Sequence, residues 1–311
     1  MVALLFPGQG SQLVGMGSEF YQNFNIVKNF FKEADESLGF SISKIILEGP
    51  DNDLKLTQNT QPAILTVSYS IFKVLIDEFG FDINKIRYFA GHSLGEYSAL
   101  VCSQALTFKD SLYLLHERGK AMQNAVPVGE GSMVAVLGLK NQEIKNLIHE
   151  LNFNEGVCEI ANDNAEGQVI VSGDSSSVNL FQKELKSKRI KCIPLKVSAP
   201  FHCSLMKPAA EDMEDKINKI NFLSPKIQIV NNVTAKIEKD PMEIKKLLIR
   251  QIYSTVNWRE SMVNISENGV ENFIEIGPGK VLTGMIKRTI SGAKTFSINS
   301  IADIKNLKDA I

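Results

Sequence analysis

Residues 86–100 read Ile-Arg-Tyr-Phe-Ala-Gly-His-Ser-Leu-Gly-Glu-Tyr-Ser-Ala-Leu. The mostly apolar run 86–90 predicts a short buried strand, and the sequence from Glu96 onward predicts a helix. Between them, residues 91–95 match G-x-S-x-G, and this motif between a strand and a helix is typical of a nucleophile elbow. Ser93 would then project its hydroxyl at a helix N-terminus, where backbone N–H groups favour a developing negative charge. The alternative is an ordinary turn between strand and helix that happens to contain a serine.

The composition is that of a globular protein without a strong charge of either sign. The 311 residues are 44% hydrophobic and 22% charged, with a formal net charge of −1. This length fits one large domain, or a large domain with a smaller insert, and the charge gives no indication of a nucleic-acid partner. No apolar run approaches membrane-spanning length, and the apolar run 2–6 is too short for a signal sequence. We therefore expect a cytoplasmic protein that does not bind a membrane.

Cysteine spacing bears on metals and on redox state. The four cysteines, at positions 102, 158, 192 and 203, show no C-x-x-C spacing and no histidines at the spacing of a zinc site. We therefore expect reduced thiols and no metal.

A second glycine-containing loop follows the first predicted strand. The apolar run 2–6 predicts a buried parallel strand, and Gly8-Gln9-Gly10 comes directly after it. A dinucleotide-binding fingerprint would need a glycine at position 13, which is Leu13, so that assignment fails. Two interpretations remain: a loop whose bare backbone N–H groups face an anion, or a flexible turn.

Hydrophobic periodicity divides the chain into a large α/β unit and a smaller unit inserted in it. Before the insert, the pattern predicts amphipathic helices over 18–38, 62–79, 96–104 and 107–126, with Thr60 as the N-cap of the second. After the insert, it predicts strands at 227–230 and 270–276 and helices at 241–253 and 258–267. We expect residues 1–127 and 198–311 to form a hydrolase-like α/β core, a mainly parallel sheet flanked by helices.

Residues 128–197 are the predicted insert. The expected elements are a strand at 133–139, a helix at 141–151, strands at 157–161 and 168–172, a helix at 175–188 and a strand at 192–197. This β-α-β-β-α-β order is the ferredoxin-like pattern. The two ends of such a unit would lie close together, so it can be inserted into a larger domain. We therefore expect a ferredoxin-like small subdomain.

Arg118 lies on the apolar face of its predicted helix. The apolar residues of that face are Leu114, Leu115, Ala121, Met122 and Ala125, and the first four are three or four positions from Arg118. A guanidinium on a core-facing stripe is costly unless a carboxylate meets it. Arg118 could reach solvent or pair with an internal acid such as Glu117 or Glu96. Alternatively, its partner is a substrate carboxylate held by two hydrogen bonds.

Four histidines compete for the role of general base. His116 and His149 lie in helices with a surface-like pattern, and His92 lies within the elbow, where it would support the backbone. His202 follows a turn containing proline and precedes a predicted helix, so elimination leaves it as the candidate base. Neither aspartate considered as the third member of a triad is convincing, because both fall in the predicted insert: Asp163 and Asp174.

These residues together indicate an acyl-transfer enzyme of the α/β hydrolase type. Ser93 would be the nucleophile and His202 the general base. The backbone N–H groups of Leu94 and of the loop 8–10 would form an oxyanion hole. A third group should orient the histidine, and the residues alone do not identify it.

Six short motifs, in this order, make the sequence similar to a known family. They are Phe6-Pro7-Gly8-Gln9-Gly10-Ser11-Gln12, Thr57-Gln58-Asn59-Thr60-Gln61-Pro62, Gly91-His92-Ser93-Leu94-Gly95-Glu96-Tyr97, Arg118-Gly119, Ala199-Pro200-Phe201-His202 and Glu275-Ile276-Gly277-Pro278-Gly279-Lys280. Each motif is weak alone, but together they are highly specific and span nearly the whole chain. The sequence resembles the malonyl-coenzyme A:acyl carrier protein transacylases of type II fatty acid synthesis.

The resemblance implies a ping-pong acyl transfer with no bound cofactor. Ser93 would take malonyl from malonyl-CoA, and the phosphopantetheine thiol of acyl carrier protein would then take it from Ser93. His202 would serve as the base in both half-reactions. We also expect a monomer.

The resemblance further implies roles for the residues around the serine. Arg118 matches the arginine that pairs with the malonyl carboxylate, and a main-chain carbonyl near Gln251 orients the histidine in place of an acid. Gln9 matches the glutamine of the oxyanion loop, whose backbone N–H acts with that of Leu94. Phe201 stands where malonyl-specific relatives carry phenylalanine, and its bulk should crowd a methyl branch on the substrate.

Two other functions stay open from the sequence, a serine hydrolase and a non-catalytic module that binds acyl carrier protein. The way in which a carrier protein would dock is also open. A basic run closes the second helix of the insert and is either a solvated helix end or a surface that helps dock the acidic carrier: Lys186, Lys188, Arg189 and Lys191.

Overall fold

Two β-sheets organise the chain in the computed structural model, which describes residues 1–153, 155–195 and 197–310. The described strands are β1 (Val2–Phe6), β2 (Ile86–Gly91), β3 (Gly131–Leu137), β4 (Cys158–Ala165), β5 (Gln168–Asp174), β6 (Lys191–Pro194), β7 (Gln228–Val230), β8 (Ile237–Glu238), β9 (Asn272–Ile276) and β10 (Lys294–Ile298). The described helices are α1 (Ser18–Asn23), α2 (Asn25–Leu38), α3 (Ile42–Glu48), α4 (Asp51–Lys55), α5 (Thr57–Lys73), α6 (Gly95–Cys102), α7 (Phe108–Asn124), α8 (Asn141–Leu151), α9 (Ser175–Ser187), α10 (Lys207–Lys219), α11 (Pro241–Gln251), α12 (Trp258–Glu267), α13 (Val281–Thr289) and α14 (Ile301–Ala310).

The larger sheet is mainly parallel, in the order β10-β9-β1-β2-β7-β8. Every pairing in it is parallel except that of β8 with β7. All five residues of β1 are buried, because alternate side chains enter different cores: Leu4 and Phe6 pack on one side, Ala3 and Leu5 on the other. The predicted α/β fold with a mainly parallel sheet is therefore confirmed.

The register of the central strands sets the place of the functional residues. Phe6 at the end of β1 pairs with Gly91 at the end of β2. The loops that follow both strands therefore leave the sheet side by side, at the carboxyl edge where open α/β sheets bind ligands. The chain after β7 emerges at the same edge, because Val230 lies opposite Ala90.

The second sheet is antiparallel and is built from residues 131–194. Its strand order is β4-β5-β3-β6, and α8 and α9 follow β3 and β5 in the chain. The β-α-β-β-α-β order predicted for this stretch is the order observed. A separate apolar core lies between the sheet and these helices, with Val134, Val136 and Phe181 fully buried.

Two of the predicted helices differ from the structure. The segment 18–38 is interrupted at Phe24, whose extended backbone separates α1 from α2. The helix predicted over 62–79 begins earlier, at Thr57, and ends in a π-helical turn, Val74–Glu78. Thr60 therefore lies inside α5 and is not an N-cap; its hydroxyl donates to the carbonyl of Leu54. Among the described residues, no helix is long and apolar enough to cross a membrane.

Candidate active site

A tight turn joins β2 to α6, and only glycine fits at its two ends. A Cβ on Gly91 would lie 1.9 Å from the backbone of Gly95, and a Cβ on Gly95 would lie 2.2 Å from the carbonyl oxygen of Phe6. Ser93, between them, has a φ of 53°, in the left-handed region that serine rarely adopts. Strained backbone of this kind clusters at functional sites. The geometry is that of a nucleophile elbow.

Asn232, in the turn that follows β7, holds the elbow in place. Its Oδ1 accepts a hydrogen bond from the backbone N–H of Ser93 (2.7 Å), and its Nδ2 donates to the carbonyl of Gly91 (2.7 Å). Sequence reasoning missed this residue. The available signal was a polar pair, Asn231-Asn232, at the carboxyl end of a strand that lies beside β2.

His92 supports the turn from the other side through its backbone and its ring. Its backbone N–H donates to the carbonyl of Phe6, and its Nε2 lies 2.8 Å from Oδ1 of Asn164 on β4. Burial lowers the pKa of His92 below its ordinary value, so the ring is neutral. Asn164 was also missed, because nothing in the sequence relates β4 to the elbow.

His202 meets the serine. Its Nε2 lies 2.8 Å from Oγ of Ser93, and its Nδ1 donates to the main-chain carbonyl of Gln251 at 2.9 Å. With the proton on Nδ1, Nε2 is free to accept the serine proton. Burial, assisted by the positive charge of Arg118, lowers the pKa of His202 to about 3. The imidazole is therefore neutral at physiological pH.

No acid orients His202 among the described residues. Asp163 instead pairs with Arg259 on α12 at 2.9 Å, and Asp174 caps the N-terminus of α9 through the backbone N–H of Ser177. The carbonyl of Gln251 takes the place of the acid, because α11 ends beside the histidine.

Arg118 is buried, with 1% of its surface exposed, and points at the serine. Its Nη2 donates to Oγ of Ser93 (3.1 Å) and to Oε1 of Gln251 (2.9 Å), while its Nη1 donates to Oε1 of Gln61 (2.8 Å). The Arg118 side chain therefore does not reach solvent. Glu117 faces away and forms an ion pair with Lys120 at 2.9 Å.

Two contacts between α7 and α5 position the helix that carries the arginine. A Cβ on Gly119 would lie 2.4 Å from Cα of Gln58, so α7 packs against α5 in a way that glycine alone allows. Pro62 has no N–H and leaves the carbonyl of Gln58 without its helical donor, and Nδ1 of His116 donates to that carbonyl at 2.9 Å. His116 is therefore half-buried and structural, contrary to the surface position predicted for it, whereas His149 is exposed as expected.

A cavity of about 110 Å³ lies above the serine. Both parts of the chain line it: Gln9, Gln61, His92, Ser93, Leu94, Arg118, Met122, Met133, Asn162, Leu195, Val197, Phe201 and His202. Phe201 forms part of the apolar wall, 7% exposed. Within the described residues, the backbone N–H groups of Gln9 and Leu94 donate to no protein atom, and both residues border the cavity. Two free donors beside a nucleophile are the elements of an oxyanion hole.

The described residues contain no group of three or more His, Cys, Asp or Glu side chains that could hold a metal ion. The four cysteines carry no disulfide, and burial raises the pKa of the Cys203 thiol, next to the base, to about 11. The polar groups that meet at this site are the Ser93 hydroxyl, the His202 imidazole and the Arg118 guanidinium.

Comparisons with known proteins identify the family of this chain. The family model described as acyl transferase domain matches residues 3–310. The malonyl CoA-acyl carrier protein transacylase of Bacillus subtilis is 42% identical over 96% of this chain and 93% of its own length. The acyl-carrier-protein-S-malonyltransferase of Bartonella henselae has a similar crystal structure, with a TM-score of 0.95, 40% identity, and coverage of 99% of this chain and 98% of that one.

A third similar structure contains a partner. It is a malonyl-transacylase in complex with its type II polyketide synthase acyl-carrier protein, with a TM-score of 0.95, 38% identity, and coverage of 100% of this chain and 99% of that one. The chain therefore belongs to the acyl transferase domain family, among the malonyl CoA-acyl carrier protein transacylases.

Proposed function

We propose that this chain is an S-malonyltransferase of fatty acid biosynthesis, which moves malonyl from malonyl-CoA to the phosphopantetheine thiol of acyl carrier protein. One observation carries the proposal: Oγ of Ser93 lies within hydrogen-bond distance of both a neutral imidazole and a buried guanidinium. A nucleophile, a base and a carboxylate-binding cation in one small cavity suit an acyl group that ends in a carboxylate. The names of the relatives point to the same reaction.

In the first half-reaction, Ser93 Oγ attacks the thioester carbonyl of malonyl-CoA. Nε2 of His202 takes the serine proton as the O–C bond forms. The backbone N–H groups of Leu94 and Gln9 stabilise the oxyanion, and each such donor is worth about 10²- to 10³-fold in rate. The C–S bond then breaks, and the imidazolium returns its proton to the departing coenzyme A sulfur. The product is a malonyl ester of Ser93.

The second half-reaction repeats these steps with a new nucleophile. His202 removes the proton of the phosphopantetheine thiol, and the thiolate attacks the ester carbonyl in the same oxyanion hole. The serine leaves with the proton from the imidazolium, which restores the free enzyme. The carbonyl of Gln251 holds the ring in position through both halves by accepting from Nδ1.

Arg118 supplies the preference for a malonyl group. Gln61 and Gln251 hold the two ends of the guanidinium in the free protein, so its orientation is set before the substrate arrives. The malonyl carboxylate replaces the weaker contact to Ser93 and gains charge-assisted hydrogen bonds in a site with little water. Phe201 crowds a methyl branch, a preference of about 1–3 kcal/mol.

The two sheets correspond to two subdomains in this proposal. Residues 1–127 and 198–311 form the hydrolase-like subdomain with the serine, the arginine and the histidine. Residues 128–197 form the ferredoxin-like subdomain, in agreement with the strand order β4-β5-β3-β6.

The partners of the proposed enzyme are malonyl-CoA and acyl carrier protein, and it needs no bound cofactor. It acts as a monomer in the cytoplasm, with no nucleic-acid or membrane partner. The basic run at the end of α9 helps to dock the acidic carrier protein: Lys186, Lys188, Arg189 and Lys191. Docking through such charges weakens as salt is added.

Intact mass spectrometry tests the proposed reaction. The protein is mixed with malonyl-CoA, acetyl-CoA or methylmalonyl-CoA, and Ser93→Ala serves as the unlabelled control. A stable malonyl adduct on Ser93 that acyl carrier protein then removes is the expected result, with malonyl preferred. Rapid release of free malonate would instead identify a serine hydrolase. The absence of any adduct would leave a non-catalytic carrier-binding module.

A further inference from the structure

Gln251 connects the base to the arginine. Its main-chain carbonyl accepts from His202, and its side-chain Oε1 accepts from Nη2 of Arg118. The residue is completely buried at the end of α11, so a rotation of its amide would change both the guanidinium and the elbow contacts. The orientation of this amide therefore matters to the reaction.

Glu96 lies on the far side of that amide. Its Oε2 accepts from Nε2 of Gln251 at 2.7 Å and from the backbone N–H of Asn232 at 3.1 Å. The carboxyl group is 3% exposed and occupies the first turn of α6, directly behind the nucleophile. The mechanism above gives this buried acid no role.

An amide between a guanidinium and a carboxyl oxygen can satisfy both in one orientation only. Arg118 offers donors alone, so it requires the amide oxygen, and Oε2 of Glu96 then receives the NH₂ group. The two other contacts of that NH₂ group are longer, 3.1 Å to the carbonyl of Ser93 and 3.3 Å to Oδ1 of Asn232. Glu96 is thus the nearest acceptor that keeps the amide from turning.

We propose that Glu96 is a positioning residue, which fixes the amide of Gln251 and through it the guanidinium that receives the malonyl carboxylate. This inference rests on the proposed function. The role depends on the acceptor oxygen and not on a permanent charge. Burial raises the pKa of Glu96 to about 7, so the carboxyl is neutral for part of the time near physiological pH, and Oε2 still accepts in that state.

Two variants of Glu96 distinguish the effect of its acceptor oxygen from the effect of its negative charge. Glu96→Gln keeps an acceptor oxygen at the same reach and removes the charge; the oxygen it replaces, Oε1, makes no hydrogen bond with the described residues. Glu96→Asp keeps the charge and withdraws the oxygen by about one C–C bond, ~1.5 Å. Thermal unfolding shows that each variant is folded, and rapid-quench mass spectrometry measures the acylation of Ser93 by malonyl-CoA and by acetyl-CoA.

For malonyl-CoA, we expect Glu96→Asp to slow acylation by about 10- to 100-fold, since a displacement of about 1 Å has an effect of this size. Glu96→Gln should stay within about threefold of the wild type, because the hydrogen bond is kept. Acetyl-CoA, which has no carboxylate for Arg118, should respond less to Glu96→Asp. If Glu96→Gln is the slower variant, or if neither differs from the wild type, the inference is wrong.

A double-mutant cycle tests the connection through Gln251 and does not depend on one variant alone. In a Gln251→Met background, adding Glu96→Asp should slow malonyl loading no further, because there is no amide left to orient. Multiplying effects would contradict the inference. The wild type is measured in parallel: a wild type that loads no malonyl overturns the proposed function itself, whereas normal wild-type loading confines a failure to Glu96.

Discussion

At the scale of single residues, Arg118 and His202 are buried basic side chains whose hydrogen-bond partners in the protein are neutral. The two ends of the guanidinium meet the amides of Gln61 and Gln251, and the imidazole meets a main-chain carbonyl. A direct ion pair with a protein acid would have occupied the guanidinium. Neutral partners orient the group and leave its charge to the substrate.

Replacement of the arginine should therefore discriminate between acyl groups. Arg118→Ala is expected to reduce malonyl loading of Ser93 by at least about 100-fold, because the substrate carboxylate would be buried without a partner. Loading of acetyl should fall much less. Arg118→Lys should be intermediate for malonyl, since lysine keeps the charge but cannot bond both glutamines at once. An unchanged ratio of malonyl to acetyl loading in Arg118→Ala would contradict the assignment.

The neutral His202 makes a prediction about acid stability. Its pKa is lowered from 6.5 to about 3 in the folded protein, so only the unfolded chain takes up a proton between these values. The free energy of unfolding should therefore fall as the pH drops below about 6.5, and this residue should cause no change above that pH. From pH 7.5 to pH 5.0 the loss is about 2 kcal/mol.

Urea unfolding of the wild type and of His202→Asn at both pH values measures this loss. The difference between the two proteins isolates His202, because His92 and Glu96 titrate in both. The wild type should lose more stability than the variant on acidification. Parallel losses in the two proteins would show that the histidine is not buried in its neutral form.

At the scale of elements, the contact between α5 and α7 positions the arginine. Gly119→Ala should lower the free energy of unfolding by about 1–3 kcal/mol, because the new methyl group meets the backbone of Gln58. It should also slow malonyl loading as Arg118 shifts. Gly284→Ala is the matched control: it lies in α13 with nothing within 4 Å of the added Cβ, and alanine is the better helix former. Equal effects of the two changes on stability would contradict this account.

Local sequence patterns were sufficient for some elements and not for others. The elbow and the β-α-β-β-α-β stretch have short-range signals, namely two glycines around a serine and regular changes of periodicity. The start of α5 does not, because Thr57 and Thr60 are buried polar residues, and the Thr60 hydroxyl bonds the carbonyl of Leu54 in the preceding helix instead of capping its own. A cap rule applied to Thr60 alone could not detect this.

Local sequence patterns predicted even less of the polar network around Ser93. Ser93 was assigned from its motif, Arg118 from its place on an apolar helix face and His202 by elimination, and the resemblance added to all three. Asn232 and Asn164 were missed, because the role of Asn232 depends on strand order and the role of Asn164 on contact between the two sheets. The register of β2 with β7 places Asn232 beside the elbow, whereas Asn164 reaches His92 from β4 of the other sheet.

At the scale of the whole molecule, β4 joins the antiparallel sheet to the rest of the chain. Three of its side chains make such contacts: Asp163 pairs with Arg259, Asn164 forms a hydrogen bond with His92, and Glu159 accepts from both the N–H and the hydroxyl of Ser204. The last contact fixes the turn that carries His202. The antiparallel sheet is therefore part of the support of the active site and not an appendage.

Weakening the ion pair between Asp163 and Arg259 should weaken the contact between β4 and α12. Asp163 is buried and accepts three hydrogen bonds from Arg259, so Asp163→Asn should lower the free energy of unfolding by about 1–3 kcal/mol in urea. Glu36→Gln, which removes the exposed pair with Lys32, is the control and should change stability by less than about 1 kcal/mol. If Asp163→Asn loses no more stability than the control variant, the contact between β4 and α12 does not depend on this ion pair.

The first and last strands of the antiparallel sheet are neighbours, since Val134 on β3 pairs with Pro194 on β6. The chain therefore enters and leaves this sheet at adjacent strands. Ser93 and Arg118 precede this stretch, and His202 comes just after it. The stretch could thus be exchanged between relatives as a cassette, with the reacting groups all supplied by the recipient. Each exchanged stretch would bring its own residues at the positions of Asn164 and Glu159. An inactive chimaera should therefore have lost the hydrogen bond to His92 or the hydrogen bonds to Ser204, near His202.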